Sequence, residues 1–218
     1  MSAADPHLPA EAGVAVIILS AVCLAYLLGS IPTGLLAARW MKGVDIRLHG
    51  SGNVGATNVA RVVGKIPGAF VLAVDVAKGW VPVALIAGRV SAMGVQFLSP
   101  ESLRVLLGVV AVAGHIWNPF LQFRGGKGVA TALGVLLGLD PVVGASSVGI
   151  WIVAALVTRY VSVASVSAGL GAAVLMAWLG RPTSRALGTI LVALWIAARH
   201  RPNFLRLLHG EEHRIGKS

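Results

Sequence analysis

Apolar residues fill most of this chain in long runs, which short polar stretches interrupt. The runs lie near residues 14 to 38, 66 to 88, 103 to 123, 128 to 158, 163 to 179 and 184 to 198. A helix needs about 20 residues to cross roughly 30 Å of hydrocarbon, and most of these runs are long enough. The pattern therefore predicts an all-α fold, a polytopic bundle of membrane helices.

The number of crossings depends on the run from 128 to 158. It is too long for one ordinary crossing, and Asp140-Pro141 interrupts it. Proline lacks an N–H group and disfavours helical geometry in the residue before it, so a helix boundary is expected there. Two helices in this run give seven transmembrane helices, and one helix gives six. Seven is favoured, because a six-helix arrangement splits the basic loops between the two faces.

Composition and charge support a membrane protein. The 218-residue chain is 56% hydrophobic and only 12% charged, with a mean hydropathy of +0.83. The net charge of +10 comes from short basic clusters between the apolar runs, as in cytoplasmic loops of membrane proteins. Nucleic acid is therefore not expected as a partner. Cys23 is the only cysteine, so an intrachain disulfide is excluded.

The distribution of basic residues predicts the orientation. With seven helices and a periplasmic N-terminus, the loops at 39 to 65, 124 to 127 and 159 to 162 and the C-terminus are cytoplasmic. Most lysines and arginines then lie inside, and only Arg89, Arg104, Arg181 and Arg185 lie outside. We expect one integral membrane domain over residues 1–218, embedded in the bacterial inner membrane as a monomer.

The polar stretch from His49 to Arg61 predicts an anion site. Gly50, Gly52 and Gly55 allow backbone N–H groups to turn toward a ligand, and Arg61 supplies a fixed, forked positive charge. Side-chain hydrogen bonds are expected from Ser51, Asn53, Thr57 and Asn58.

A second polar segment, Arg124-Gly-Gly-Lys-Gly128, leads into an apolar helix predicted to start at Val129. Free N–H groups and the positive end of the helix dipole attract anions at such a position, and Lys127 adds a full charge. The alternative is a tight turn whose basic residues only follow the positive-inside tendency. The segment does not match a nucleotide P-loop, because Leu121 and Gly128 stand where that motif requires Gly and Ser or Thr.

The third basic segment, residues 199–206, follows the last apolar run. His200 lies between two arginines and suits proton transfer near neutral pH, and the alternative is a basic anchor for anionic lipid. Ser162 and Ser165 follow another turn, where a hydroxyl either caps a helix or contacts a ligand. Asp75 and Lys78, three residues apart, are expected to neutralise each other inside the membrane.

Together these segments resemble the bacterial membrane acyl-phosphate:glycerol-3-phosphate acyltransferase family over nearly the whole chain. The matching motifs are Gly29-Ser-Ile-Pro-Thr-Gly34, Gly50-Ser-Gly-Asn-Val-Gly-Ala-Thr-Asn58 with Arg61, Asp75-Val-Ala-Lys-Gly79, Gly114-His115, Gly125-Gly-Lys-Gly-Val-Ala-Thr131, 160 to 165, and Arg199-His-Arg-Pro-Asn203 through Arg206, Gly210 and Glu212. One departure is Asn118-Pro119, where the family's proline usually comes one residue earlier.

The resemblance implies acyl transfer from an acyl phosphate to the sn-1 hydroxyl of glycerol 3-phosphate at the cytoplasmic face, and a mainly structural role for Glu212. The expected catalytic residues are Ser51, Arg61, Lys127, His200 and Asn203. The expected substrate contacts are Gly50, Gly52, Asn53, Thr57, Asn58, Gly125, Gly126, Gly128, Ser165 and Arg199. No metal or organic cofactor is expected, because the donor arrives activated.

Two questions stay open at this level. Either His200 or a substrate phosphate oxygen takes the hydroxyl proton, and we favour the phosphate because no carboxylate is evident to orient His200 as a base. A transporter of a phosphorylated solute is the alternative function. It is disfavoured because the candidate residues gather at one face, whereas a transporter needs polar groups at midspan and access from both sides.

Overall fold

The computed structural model describes residues 8–95 and 98–216, and helices account for most of them. The longer helices are α1 (Leu8–Gly29), α4 (Lys65–Val81), α6 (Pro100–Ile116), α8 (Pro141–Thr158), α9 (Val161–Trp178) and α10 (Thr183–Arg199). The shorter ones are α2 (Thr33–Lys42), α3 (Ala56–Val62), α5 (Ala87–Ala92), α7 (Val129–Leu139) and α11 (Arg201–Leu208). A π-helical turn, Pro82–Ile86, joins α4 to α5.

Each predicted apolar run contains a helix, so the all-helical fold is confirmed in the described part of the chain. The predicted break at Asp140-Pro141 is also confirmed. Asp140 caps α8 by accepting hydrogen bonds from the N–H groups of Val142 and Val143 at 3.1 and 3.2 Å, and Pro141 occupies the first helical position, where its missing N–H costs nothing.

Five helical segments in the described residues are long and apolar enough to cross a membrane: Ala12–Lys42, Lys65–Ala92, Pro100–Leu121, Pro141–Thr158 and Val161–Trp178. α7 has 11 residues, so it extends only about 16 Å, roughly half the hydrocarbon thickness. α10 has 17 residues and extends about 25 Å, slightly less than the hydrocarbon thickness. The protein is thus a polytopic membrane bundle in which a short helix, α7, packs between longer ones.

Small residues allow α7 to pack closely against α4. A Cβ atom on Gly79 would overlap the carbonyl oxygen of Thr131, and one on Gly134 would overlap that of Val76. Likewise, a Cβ atom on Gly29 of α1 would overlap the carbonyl oxygen of Ala111 in α6. Because lipid provides no hydrophobic drive between helices, this close backbone contact is a main source of their association.

The expected pairing of Asp75 with Lys78 is confirmed. The two buried side chains lie 2.5 Å apart on α4, and the Lys78 ammonium also donates to the carbonyl of Ile31 at 2.6 Å. The second contact satisfies the backbone where the chain turns from α1 into α2. The pair therefore neutralises two charges and ties α4 to the end of α1.

One local expectation was wrong. The polar stretch from His49 to Arg61 does not form a loop throughout, because α3 begins at Ala56 and carries Thr57, Asn58 and Arg61. The polar residue Asn58 occupies a buried position, which hides the helical period in so short an element, and packing against α4 stabilises the helix.

Candidate active site

A cavity of about 400 Å³ lies where the first turn of α7 meets α3 and the corner between α10 and α11. Four segments of the chain bring cations, hydroxyl groups and amides to one end of this cavity, which we call the polar end. Its polar lining includes Ser51, Asn53, Thr57, Asn58, Arg61, Lys127, Ser162, Ser165, His200, Asn203, Arg206 and Glu212. Residues as far apart in sequence as Ser51 and Glu212 thus line one cavity.

The rest of the cavity follows α7 toward the middle of the bundle and is mostly apolar, although Asp75, His115 and Ser147 also line it. Its lining there includes Leu133, Leu136, Val148, Ile152, Ala168 and Gly169. Leu72 of α4 and Ile152 of α8 flank this part and are also 46% and 47% exposed. The cavity therefore reaches the lipid-facing surface between α4 and α8, next to α7.

Lys127 lies in the polar end with its ammonium group mostly buried. Nζ donates a hydrogen bond of 2.5 Å to Oδ1 of Asn203. Burial lowers the pKa of Lys127 to about 8. The negative charge of Glu212 opposes this shift, and the positive charges of Arg206, Arg199 and Arg61 add to it. Such a partly desolvated positive charge favours binding of an anion.

His200, only 2% exposed, occupies the corner between α10 and α11. Its Nδ1 atom lies 2.8 Å from the carbonyl oxygen of Ile196. Because a carbonyl oxygen only accepts, Nδ1 carries the hydrogen and Nε2 keeps its lone pair. Burial, together with the charge of Lys127, lowers the pKa of His200 to about 4. The imidazole is therefore neutral near pH 7 and a weak base.

Glu212, in the tail after α11, binds three side chains of the site on two helices, α9 and α11. Its Oε1 accepts hydrogen bonds from Ser162 at 2.9 Å and Asn203 at 2.7 Å, and its Oε2 accepts one from Arg206 at 3.0 Å. Burial alone would raise the pKa of this carboxyl group, but these donors hold it below its usual value. Glu212 thus fixes Asn203 in the orientation that receives Lys127, which agrees with the structural role expected for it.

The buried side chain of Asn58 organises the first polar segment. Its Nδ2 group donates to the carbonyls of Ile46, His49 and Asn53 at 3.3, 3.0 and 2.9 Å, and its Oδ1 accepts from the N–H of Ser51 at 2.9 Å. These contacts hold the loop against α3. Asn58, expected to contact substrate, thus has its polar atoms engaged by its own loop.

The expectation of free N–H groups in the second segment holds for α7 but not for the glycines before it. The N–H groups of Gly125 and Gly126 donate to the carbonyls of Ile116 and His115, at 3.0 and 3.1 Å. In contrast, the N–H groups of Val129, Ala130 and Thr131, in the first turn of α7, have no backbone acceptor within the described residues. Val129 and Ala130 line the cavity.

Most of the expected site residues meet in this cavity. Those that line it are Ser51, Asn53, Thr57, Asn58, Arg61, Lys127, Gly128, Ser165, His200 and Asn203. Those that do not line it are Gly50, Gly52, Gly125, Gly126 and Arg199. Gly50 and Gly52 adopt positive φ values of 60° and 69°, which glycine tolerates best, so they shape the turn around Ser51. Arg199 contacts two backbone carbonyls instead of the cavity.

Neither serine that follows the α8–α9 turn caps a helix. Ser162 binds Glu212, and Ser165 donates to the carbonyl of Val161 at 2.8 Å while it accepts from Trp151 at 3.2 Å. Both line the cavity.

Sequence reasoning did not assign the apolar side chains of α7 and α8 to the site. It also did not assign Asp75, His115, Ser147 and Arg206, which line the same cavity. Every membrane helix presents apolar residues, so no local signal distinguishes those that line a cavity from those that face lipid. Arg206 carried only a weak signal, as one more cation in a basic segment.

Comparison with known proteins agrees with this geometry. Residues 19–210 match the family model described as glycerol-3-phosphate acyltransferase. The chain is 43% identical over 211 residues to the glycerol-3-phosphate acyltransferase of Prochlorococcus marinus, with 94% of this chain and 98% of that protein covered. It is 44% identical over 194 residues to that of Synechococcus elongatus, with 89% and 92% covered.

Two solved structures are similar throughout the fold. Both are crystal structures of PlsY (YgiH), an integral membrane glycerol 3-phosphate acyltransferase. The glycerol 3-phosphate form has a TM-score of 0.82 at 42% identity, covering 91% of this chain and 96% of that one. The lysophosphatidic acid form has a TM-score of 0.80 at 41% identity, covering 91% and 95%.

Proposed function

We propose, from the premise that this chain belongs to the glycerol-3-phosphate acyltransferase family, that its acyl donor is an acyl phosphate. The chain transfers an acyl group to the sn-1 hydroxyl of glycerol 3-phosphate and releases lysophosphatidic acid. The observation that carries the choice of donor is the cavity itself, in which a cationic end adjoins an apolar arm that opens toward lipid.

The cationic end suits two phosphate groups held side by side. Their mutual repulsion has to be offset, and Arg61 and Lys127 supply full charges while the hydroxyl of Ser51 and the first-turn N–H groups of α7 add neutral donors. We assign Lys127, with Asn203 beside it, to glycerol 3-phosphate, and Arg61 with Ser51 to the phosphate of the donor.

The apolar arm suits the fatty acyl chain. A donor that diffuses in the membrane can enter sideways between α4 and α8 without extracting its chain from lipid. Ser165 also lines the cavity, and we assign it to a contact with the bound donor. The site then positions both reactants and stabilises the charge that develops during transfer.

The phosphate group of the acyl donor is favoured as the acceptor of the sn-1 hydroxyl proton. The sn-1 oxygen attacks the acyl carbon, an ester bond forms, the bond from that carbon to the phosphate oxygen breaks, and the hydroxyl proton leaves with the released phosphate. The low pKa of His200, about 4, argues against this imidazole as the base. Its Nε2 lone pair can instead accept a hydrogen bond from the sn-1 hydroxyl and orient it.

We also propose that the chain crosses the bacterial inner membrane seven times, with α7 and α10 as the additional short crossings. The N-terminus is then periplasmic and the C-terminus and active site are cytoplasmic. The positive-inside distribution of basic residues supports this orientation. We further propose that it acts as a monomer, because this chain itself supplies the cations and hydroxyl groups that the reaction needs.

The direct test is the purified full-length protein in detergent micelles, given palmitoyl phosphate and glycerol 3-phosphate. We expect equal amounts of lysophosphatidic acid and inorganic phosphate, measured by mass spectrometry and a colorimetric assay. Palmitoyl-CoA should not replace the acyl phosphate. A preparation that uses palmitoyl-CoA at the same rate, or that requires it, would overturn the assignment of the donor.

A further inference from the structure

We propose that Arg199 is a positioning residue, which fixes the Gly125–Gly126 segment so that Lys127 and the first turn of α7 face the cavity. This rests on the proposed function, because Lys127 is the residue that binds glycerol 3-phosphate there. Sequence reasoning placed Arg199 on the substrate. The contacts of its guanidinium group place it on the protein instead.

The guanidinium group of Arg199 bridges two consecutive carbonyl groups. Its Nη2 donates to the carbonyl oxygen of Gly125 at 2.9 Å, and its Nε donates to that of Gly126 at 3.3 Å. The rigid, planar fork of arginine matches two acceptors at once, whereas an ammonium group is a point charge. Arg199 is not among the residues that line the cavity.

The same two glycines are also held from the opposite side. Their N–H groups bind the carbonyls of Ile116 and His115, so all four backbone polar groups of this buried pair are satisfied. A Cβ atom on Gly126 would overlap the His115 ring, and one on Gly125 would overlap the His115 carbonyl. The segment is therefore held between the ends of α6 and α10.

This arrangement couples the second and third polar segments. Lys127 follows Gly126 directly, and its ammonium group reaches Asn203, which lies one helical turn after Arg199. Arg199 thus connects the corner that carries His200 and Asn203 to the loop that carries Lys127. Without the fork, the two carbonyls lose their partners and the loop can leave the position in which Lys127 meets the substrate.

The first test is amide hydrogen exchange without substrates, on the wild-type protein, Arg199→Gln, Arg199→Lys and Arg124→Gln. Arg124 is a matched control, because it immediately precedes the loop, is exposed, and makes no side-chain hydrogen bond to the described residues. Exchange in the Gly125–Lys127 peptide should accelerate in both Arg199 variants and stay unchanged in Arg124→Gln. Unchanged exchange in both Arg199 variants would overturn the proposal.

The second test is steady-state kinetics with palmitoyl phosphate. Both Arg199 variants should lose at least about tenfold in kcat/KM for glycerol 3-phosphate, since small misplacements of reactive groups cost that much or more. Arg124→Gln should stay within about twofold of wild type. Recovery of full activity by Arg199→Lys would instead identify a charge contact with substrate and sink the proposal.

The design separates this inference from the proposed function. A wild-type protein that makes no lysophosphatidic acid contradicts the function, while the exchange comparison still tests the effect of Arg199 on the loop. Peptides from α8 and α9 report whether each variant is folded. If Arg199→Gln does not fold, the same comparison is made with Arg199→Lys, which keeps the charge.

Discussion

The ammonium group of Lys127 and the amide oxygen of Asn203 form a hydrogen bond of 2.5 Å across 76 residues of sequence. This contact joins the loop before α7 to the corner that carries His200. Glu212 holds Asn203 from the other side, so the amide can turn only its oxygen toward Lys127. The lysine is thus oriented by a neutral acceptor and keeps its charge for a ligand.

Replacing Lys127 should mainly weaken binding of glycerol 3-phosphate. We expect Lys127→Ala to raise its KM about tenfold or more, since a hydrogen bond to a charged group contributes about 1.5–3 kcal/mol. The KM for palmitoyl phosphate should change much less. Steady-state kinetics with each substrate varied in turn measures both. If only the KM of the acyl donor rises, the two phosphate subsites are assigned the wrong way round.

The same lysine predicts a pH dependence of binding. Its pKa is lowered to about 8, so the ammonium is charged at pH 7 and loses its proton as the pH rises through 8. The KM for glycerol 3-phosphate should therefore rise between pH 7 and pH 9. Lys127→Arg keeps its charge over this range and should show a flat profile, whatever its absolute activity. A wild-type KM that does not change up to pH 9 contradicts the lowered pKa.

His200→Ala should reduce turnover but leave measurable activity, because a substrate phosphate takes the proton and His200 only orients the hydroxyl. Wild-type activity should also show no inflection from this histidine between pH 6 and pH 7, since its pKa lies at about 4. A pH–rate profile of both proteins tests this. Complete loss of turnover in a folded variant that still binds both substrates would assign the base to His200.

The contact between α4 and α7 should be highly sensitive to side-chain size. Gly134→Val places atoms where the Val76 carbonyl lies, and overpacking of this kind costs roughly 1–3 kcal/mol or more. We expect a clear drop in thermal stability in detergent, followed by intrinsic fluorescence. Gly149 of α8 has open space around it, so Gly149→Val is the control and should leave the melting temperature nearly unchanged. Equal losses of thermal stability in the two variants would contradict the assignment of this sensitivity to the contact between α4 and α7.

Much of this protein follows from the sequence alone. Long apolar runs predict the helices, because backbone groups in lipid must be satisfied within a segment. Asp140-Pro141 marks a helix boundary through local chemistry, and two glycine-rich segments and one basic segment contain most of the residues that meet at the site. Each of these signals is local, which is why reading along the chain detects it.

Tertiary structure decided which of those residues are available to bind substrate and which hold the protein backbone. Asn58 and Arg199 have the same polar chemistry as substrate-binding residues, yet their donors are taken by backbone carbonyls of neighbouring loops. The depressed pKa values of Lys127 and His200 arise from burial and from charges distant in sequence. Hydrogen-bond partners and desolvation are properties of the assembled packing, so only the folded chain specifies them.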